Sequence, residues 1–218
     1  LKNEGLPIVQ EGFPFLGLFG LLTLVFLIAG YWVVAVPGLV LTVFTAWFFR
    51  NPERLPPIGA RVVASPADGR VIYVGKAKEA DVTGEERLKI SVFMSVFDVH
   101  VNRFPVDGTV KKSVYKRGKF LAAFENSASL ENERNAVLIE TNDGSHVVVT
   151  QVAGLVARRI VFYPSIGGFL MKGQRFGLIR FGSRTDLYLP AGSKSLVRVG
   201  DRVLGGETAI AELPEKTA

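Results

Sequence analysis

The sequence predicts a mainly β protein, an antiparallel barrel or sandwich, preceded by a helical hairpin in a membrane. Three observations carry this. Residues 12–49 contain no Asp, Glu, Lys, Arg or His. After residue 50 the composition is that of an ordinary soluble domain, and Val and Ile gather into short runs. Turn residues separate those runs, among them Asp68-Gly69, Asp107-Gly108 and Asn142-Asp143-Gly144.

The apolar segment comes first. It ends at Trp47-Phe48-Phe49-Arg50, an aromatic and basic edge typical of a membrane interface. A cleavable signal has a shorter apolar core followed by a small-residue cleavage site. One unbroken helix over this stretch would be ~57 Å long, against a hydrocarbon core of ~30 Å. The chain must therefore fold back. Gly30 and Pro37 bracket the expected bend, beside Tyr31 and Trp32. A short turn leaves ~17 residues per arm, ~25 Å each. That length is marginal for two full spans and comfortable for a hairpin dipping into one leaflet. Both ends then emerge on one side, and Arg50, Arg54 and Arg61 make that side cytoplasmic.

Asn51-Pro52-Glu53-Arg54-Leu55-Pro56-Pro57 follows, with three prolines that stiffen and extend the chain. The expected organisation is a membrane hairpin over 1–50, a linker over 51–60 and a β-rich domain over 61–218. Strands are expected at 61–64, 70–75, 88–94, 109–115, 136–141, 146–152, 159–163, 175–181 and 185–189. Strands this short and close argue for an antiparallel barrel or sandwich. Residues 120–134 have room for one short helical or irregular insertion. Within it, Phe120-Leu121-Ala122-Ala123-Phe124 reads either as core or as a loop covering a substrate.

Composition narrows the chemistry. The chain carries 26 Lys and Arg against 20 Asp and Glu, a formal charge of +6. Beside an apolar anchor this excess favours an anionic membrane surface, and no nucleic-acid motif is present. There is no cysteine. Disulfides, thiolate metal sites and cysteine nucleophiles are therefore excluded. His100 and His146 are the two histidines. His146 follows Asp143-Gly144-Ser145 and reads as a solvent-facing turn residue. Arg158 and Arg159 face opposite ways on a strand, so at most one reaches a ligand.

Two turns are alike in kind. Pro66-Ala67-Asp68-Gly69-Arg70-Val71 opens the β domain; Val197-Arg198-Val199-Gly200-Asp201-Arg202-Val203, then Gly206-Glu207, closes it. Both resemble the turns of biotinyl and lipoyl carrier domains, which are barrel-sandwich hybrids with adjacent chain ends. The carrier lysine is missing from its hairpin tip. Met171-Lys172-Gly173 comes nearest, in the wrong surroundings. The architecture carries over and the carrier function does not.

One bond remains open to two readings. Gly182-Ser183 lies between apolar runs, in Arg180-Phe181-Gly182-Ser183-Arg184-Thr185-Asp186. It reads as an ordinary turn, or as a bond the protein cuts in itself. Ser183, His100 and Asp68 are the parts needed to activate a hydroxyl. Sequence order gives them no geometry: on composition Asp68 is a turn residue and His100 a satisfied imidazole.

A resemblance bears on that choice. Gly173-Gln174-Arg175-Phe176-Gly177-Leu178-Ile179-Arg180-Phe181-Gly182-Ser183-Arg184-Thr185-Asp186-Leu187-Tyr188-Leu189-Pro190 closely resembles the processing segment of the short prokaryotic, archaeal-type phosphatidylserine decarboxylases. So do the apolar N-terminal pair, Phe49-Arg50-Asn51-Pro52-Glu53-Arg54, Ser65-Pro66-Ala67-Asp68-Gly69, Met94-Ser95-Val96-Phe97-Asp98-Val99-His100-Val101-Asn102-Arg103 and Glu131-Asn132-Glu133-Arg134-Asn135. Each is weak alone; together, in order, they cover most of the chain.

The resemblance implies self-cleavage at Gly182-Ser183 into a β chain, 1–182, and an α chain, 183–218. Ser183 becomes a covalent pyruvoyl group, and no metal or pyridoxal phosphate is needed. A Schiff base with the lipid amine gives the electron pair somewhere to go as CO₂ leaves. Phosphatidylserine would become phosphatidylethanolamine on the cytoplasmic side of the cell membrane. A homodimer is implied as well. Asp68 resembles the processing aspartate, orienting a base or a positively charged partner. His100 would serve processing, protonation of the product, or both. The longer family members carry a second histidine where this chain has Arg103. A guanidinium cannot act as that base near pH 7, so the chain either uses His100 in the triad or activates Ser183 differently, and Arg103 is read as a candidate for the lipid phosphate. Two other readings stand beside this one: a non-catalytic membrane-anchored adaptor, and a relative acting on another amine.

Overall fold

The structure, a computed structural model, describes residues 3–118, 131–154, 159–180 and 183–215. It divides into two compact units, Leu1–Glu53 and Arg54–Ala218.

The first unit is a helical hairpin. Helix α1 spans Phe13–Ile28 and helix α2 spans Trp32–Phe48. The turn between them needs Gly30, whose φ of +78° is open to glycine at no steric cost. Pro37 does not bound the bend, contrary to expectation; it lies inside α2. It falls in the second turn, where it removes one intrahelical bond near the helix start. Gly38 beside it lets the helices close, because a Cβ there would stand 2.7 Å from Thr23 Oγ1. Thr23, Thr42 and Thr45 return their hydroxyls to the carbonyls of Phe19, Gly38 and Leu41, so no hydroxyl among these three is left to the apolar surroundings. The two ends of the hairpin meet. Val9 N donates to Phe49 O, Asn51 N donates to Pro7 O, and Asn51 Nδ2 donates to the carbonyls of Asn3 and Leu6. Residues Gln10–Ile28 form a helix long and apolar enough to cross a membrane.

The second unit is mainly β, and every strand pairing in it is antiparallel among the described residues. In chain order the strands are β1 (Val62–Ala64), β2 (Gly69–Lys78), β3 (Glu86–Met94), β4 (Val101–Arg103), β5 (Gly108–Lys116), β6 (Arg134–Thr141), β7 (His146–Val152), β8 (Ile160–Phe162), β9 (Phe169–Leu170), β10 (Arg175–Ile179), β11 (Ser183–Leu189), β12 (Lys194–Ser195), β13 (Arg202–Val203) and β14 (Ala209–Glu212). Eight form one sheet in the order β13-β2-β3-β11-β7-β6-β5-β9. Two three-stranded sheets, β1-β14-β12 and β4-β10-β8, complete the fold.

The carrier-like frame is present. First and last strands pair, with Val62 opposite Glu212 and Val63 opposite Ala211. The two turns singled out in the sequence also meet. Arg202 pairs with Arg70, Val203 pairs with Gly69, and Gly200 N donates to Val71 O. Gly69 is obligatory in this turn. Its φ is +148°, and a Cβ there would lie 2.0 Å from Phe93 O.

Strand β11 runs through the middle of the large sheet, paired with β3 on one side and β7 on the other. All seven of its residues are buried. The two-residue period sends Ser183, Thr185, Leu187 and Leu189 to one face and Arg184, Asp186 and Tyr188 to the other. On the first face Leu187 and Leu189 join Ile90, Val92, Val149 and Phe176 in the main core. Burying a leucine there is worth ~1.5–3 kcal/mol.

Candidate active site

Three distant stretches converge at the end of the sheet where β11 begins. Ser183 pairs with Met94, the last residue of β3. On the other side of β3, Arg70 pairs with Phe93, so the Asp68-Gly69 turn stands at the same end. Strand β4 follows His100 and pairs with β10, Val101 opposite Leu178. Arg103 N donates to Pro66 O, which ties β4 back to the Asp68 turn.

Ser183 is fully buried, and its Oγ makes no hydrogen bond among the described residues. It is therefore not hydrogen-bonded to His100 or Asp68 in this arrangement. Leaving a hydroxyl buried and unbonded costs on the order of 1–3 kcal/mol. Gly182, the other half of the predicted scissile pair, lies outside the described residues, as do the expected 120–124 loop and Arg158.

His100 is buried, and its Nδ1 lies 2.9 Å from the Asp98 carbonyl oxygen. A carbonyl only accepts. The neutral ring therefore carries its proton on Nδ1 and keeps the lone pair on Nε2. The Asp98 side chain holds this loop in shape by accepting from Ser95 N and Ser95 Oγ, at 2.8 and 2.7 Å. Arg202 pairs with Asp98 from outside at 2.9 Å.

Asp68 is held from two directions. Gly205 N donates to its Oδ1 at 2.7 Å, and Arg54 Nη2 donates to its Oδ2 at 3.0 Å. Arg54 also reaches Glu207 at 2.8 Å. The sequence reading gave Arg54 to the membrane edge; the structure gives it to Asp68. Arg103 is buried and donates Nη1 to Gly173 O at 2.9 Å. Its stem lies against Gly206, where a Cβ would come 2.4 Å from Arg103 Cδ. Asp68 and Arg103 thus share the Gly205-Gly206 turn. His146 opens β7 and is exposed, and Arg159 is exposed too.

A chain of buried amides, nearly silent in the sequence, runs beside the site. Gln151 Nε2 donates to Asn102 Oδ1 at 2.9 Å, and Ser113 Oγ donates to Asn135 Oδ1 at 2.9 Å. Asn102 also directs its Nδ2 at Met94 Sδ, 3.7 Å away. Asn132 donates to Ala153 O at 2.7 Å. Asn132 and Asn135 thereby fix the ends of β6 and β7 next to Ser183. Among the described residues no cluster of His, Asp or Glu is arranged to hold a metal ion.

The β fold thus brings to one end of the sheet a buried, unbonded serine at a strand start, a buried histidine whose Nδ1 is held by a carbonyl, and an aspartate fixed by Arg54 and Gly205. Comparison with known sequences gives the class. Residues 41–211 match the phosphatidylserine decarboxylase family. The chain is 50% identical to the phosphatidylserine decarboxylase proenzyme of Geotalea uraniireducens (strain Rf4), over 98% of this chain and all of that one. It is 48% identical to that of Geotalea daltonii over 96% and 98% of the two chains, and 47% identical to that of Geobacter sulfurreducens over 98% and 100%. The chain belongs to the phosphatidylserine decarboxylase family. It is an enzyme, so the adaptor reading falls.

Proposed function

We propose that this chain is a self-processing phosphatidylserine decarboxylase that makes its own pyruvoyl group from Ser183 and works at the cytoplasmic face of a membrane. The observation that carries the reading is the orphaned Ser183 hydroxyl, buried at the start of a central strand with His100 and Asp68 at the same end of the sheet. The proenzyme names of the relatives support it.

Processing needs only this chain and one water. Ser183 Oγ gives its proton to a base and bonds to the Gly182 carbonyl carbon. The Gly182–Ser183 C–N bond breaks, the nitrogen takes up the proton, and an ester remains. Loss of the Ser183 Cα proton and of the Gly182 carboxylate leaves dehydroalanine. Its enamine tautomerises, water adds, and ammonia departs to leave the ketone. No oxidant is consumed.

His100 is the proposed base, because the Asp98 carbonyl fixes its tautomer with Nε2 basic. Asp68 holds Arg54 and the Gly205 amide, the positively charged partner that the resemblance allows. Arg103 braces the Gly173 turn through one arm and brings positive charge to the site for an anionic headgroup. What the ketone supplies is an electron sink for the pair left on Cα when CO₂ departs. The buried setting suits such a group, since Ser183 already has no polar partner to lose. The helix Gln10–Ile28 would anchor the enzyme beside its lipid.

The test is direct. Purified protein is given phosphatidylserine in mixed micelles, and phosphatidylethanolamine and CO₂ are measured with and without prior borohydride reduction. The reading expects equal amounts of both products, and inactivation by borohydride together with the substrate. Product formation indifferent to borohydride and to Ser183→Ala would overturn it.

A further inference from the structure

The far face of β11 carries charges that the proposed chemistry does not use. Arg184 and Asp186 are 1% and 0% exposed. Lys89, on β3, reaches Asp186 Oδ2 at 3.1 Å. Arg184 Nε stands 2.9 Å from Asp186 Oδ1, and Arg184 Nη2 donates to Oδ2 at 3.3 Å. The rings of Tyr73 and Tyr188 lie 5.7 and 5.4 Å from Lys89 Nζ. Ser91 sits directly opposite Asp186 in the ladder, and its Oγ is buried.

Two cations sharing one carboxylate in the interior are a poor source of stability. A well-packed apolar set of similar volume is often as good or better. Buried ion pairs are better suited to fixing one register against others. Strand β11 has a particular need for that. Cutting the chain between 182 and 183 removes the covalent tether at its first residue. Chain ends fray unless tied down. Here the end residue is the reacting one, and a displacement of ~1 Å can cost ~100-fold in rate. The ownership of the charges fits the need. Lys89 belongs to the large fragment; Arg184 and Asp186 belong to the small one.

We infer that Lys89, Asp186 and Arg184 form a clamp that holds the new end of the small chain in register after cleavage, and that they are positioning residues. This rests on the self-cleavage reading. The clamp faces the opposite side of the strand from Ser183, so it acts on where the pyruvoyl end stands.

The test uses the full-length processed enzyme. Asp186→Asn leaves Lys89 and Arg184 facing each other without their shared anion. Cleavage on a denaturing gel and the carbonyl titre with phenylhydrazine should match wild type. KM should stay within about two-fold, while kcat falls ~100-fold. Asp186→Glu should recover most of it. Lys89→Met keeps the Arg184–Asp186 pair, and its loss should be smaller, under about ten-fold. Wild-type kcat in Asp186→Asn overturns the clamp. So does a fall in kcat matched by an equal fall in carbonyl titre, which would place the cluster in processing instead. Should Asp186→Asn fail to fold, Lys89→Met decides: an unchanged kcat overturns the clamp, and a fall at full titre supports it. An uncut wild type contradicts self-processing itself, a result separable from any of these.

Discussion

The two faces of β11 are built on opposite rules. One presents Ser183 and Thr185, two buried hydroxyls with no hydrogen-bond partner among the described residues, and then leucines. The other presents Arg184 and Asp186 in a dense ion network with Lys89. A further, partly buried network, Asp81 with Arg134 and Lys116, lies on the same far side of the sheet. The difference teaches that this strand pairs its charges on one face and, among the described residues, leaves its hydroxyls without partners on the other. Unmet hydrogen-bonding capacity is a cost that a site for chemistry tolerates and a structural strand removes.

The largest effect expected is at Ser183. Ser183→Ala should leave one uncut 23.8 kDa chain with no titratable carbonyl and no decarboxylation, read on a denaturing gel and by product assay. A cut or active Ser183→Ala would end the distinction between the faces. Next comes His100. His100→Ala should slow processing by ~10²–10⁴-fold, the usual worth of a positioned base, while Arg103→Ala is still cut. A time course of fragment appearance decides, and the reverse order would remove His100 from the proposal.

Asp68→Asn should be milder. Its Oδ1 can still accept from Gly205 N, but the charge that pairs with Arg54 is gone. A charge-assisted bond of this kind is worth ~1.5–3 kcal/mol. Urea denaturation should show a loss of that size, accompanied by slower cutting. Unchanged stability and cutting would make the Arg54 contact idle.

The smallest effect is expected at Asp81. Burial alone would raise the Asp81 carboxyl, but Arg134 and Lys116 hold it below the ordinary value. Its stabilisation is therefore full above the unfolded carboxylate pKa of ~3.9. It is lost as pH falls through the lowered folded value. Asp81→Asn should thus be less stable than wild type at neutral pH, with the gap closing in acid and decarboxylation per folded molecule unchanged. A gap that widened in acid would contradict the pairing.

Much of this is legible in the sequence. The long strands and the hairpin announce themselves by local signals, alternation and turn residues in one case and an uncharged run in the other. The 146–152 strand is read to the residue. Strands β4, β9, β12, β13 and β14 are not, because two to four residues carry little period of their own and form strands through pairing with distant chain. Pro37 looks like a boundary in sequence because proline usually is one, yet a helix tolerates it near its start. Arg54 shows the limit at the site. Its partners are Asp68, close in sequence, and Glu207, at the far end of the chain. No pattern of spacing names such a pair. The buried amides had one faint signal, Gln151 in an otherwise Val-rich run. Its meaning depends on Asn102 and Asn135 arriving from other strands.

Ser183 has to become a ketone for this enzyme to work as proposed. Intact mass under denaturing conditions tests that most directly. Two species are predicted, one matching residues 1–182 and one matching residues 183–218 less the mass of one ammonia. A single species at the mass of the uncut chain, or a small fragment that keeps its serine nitrogen, would contradict it.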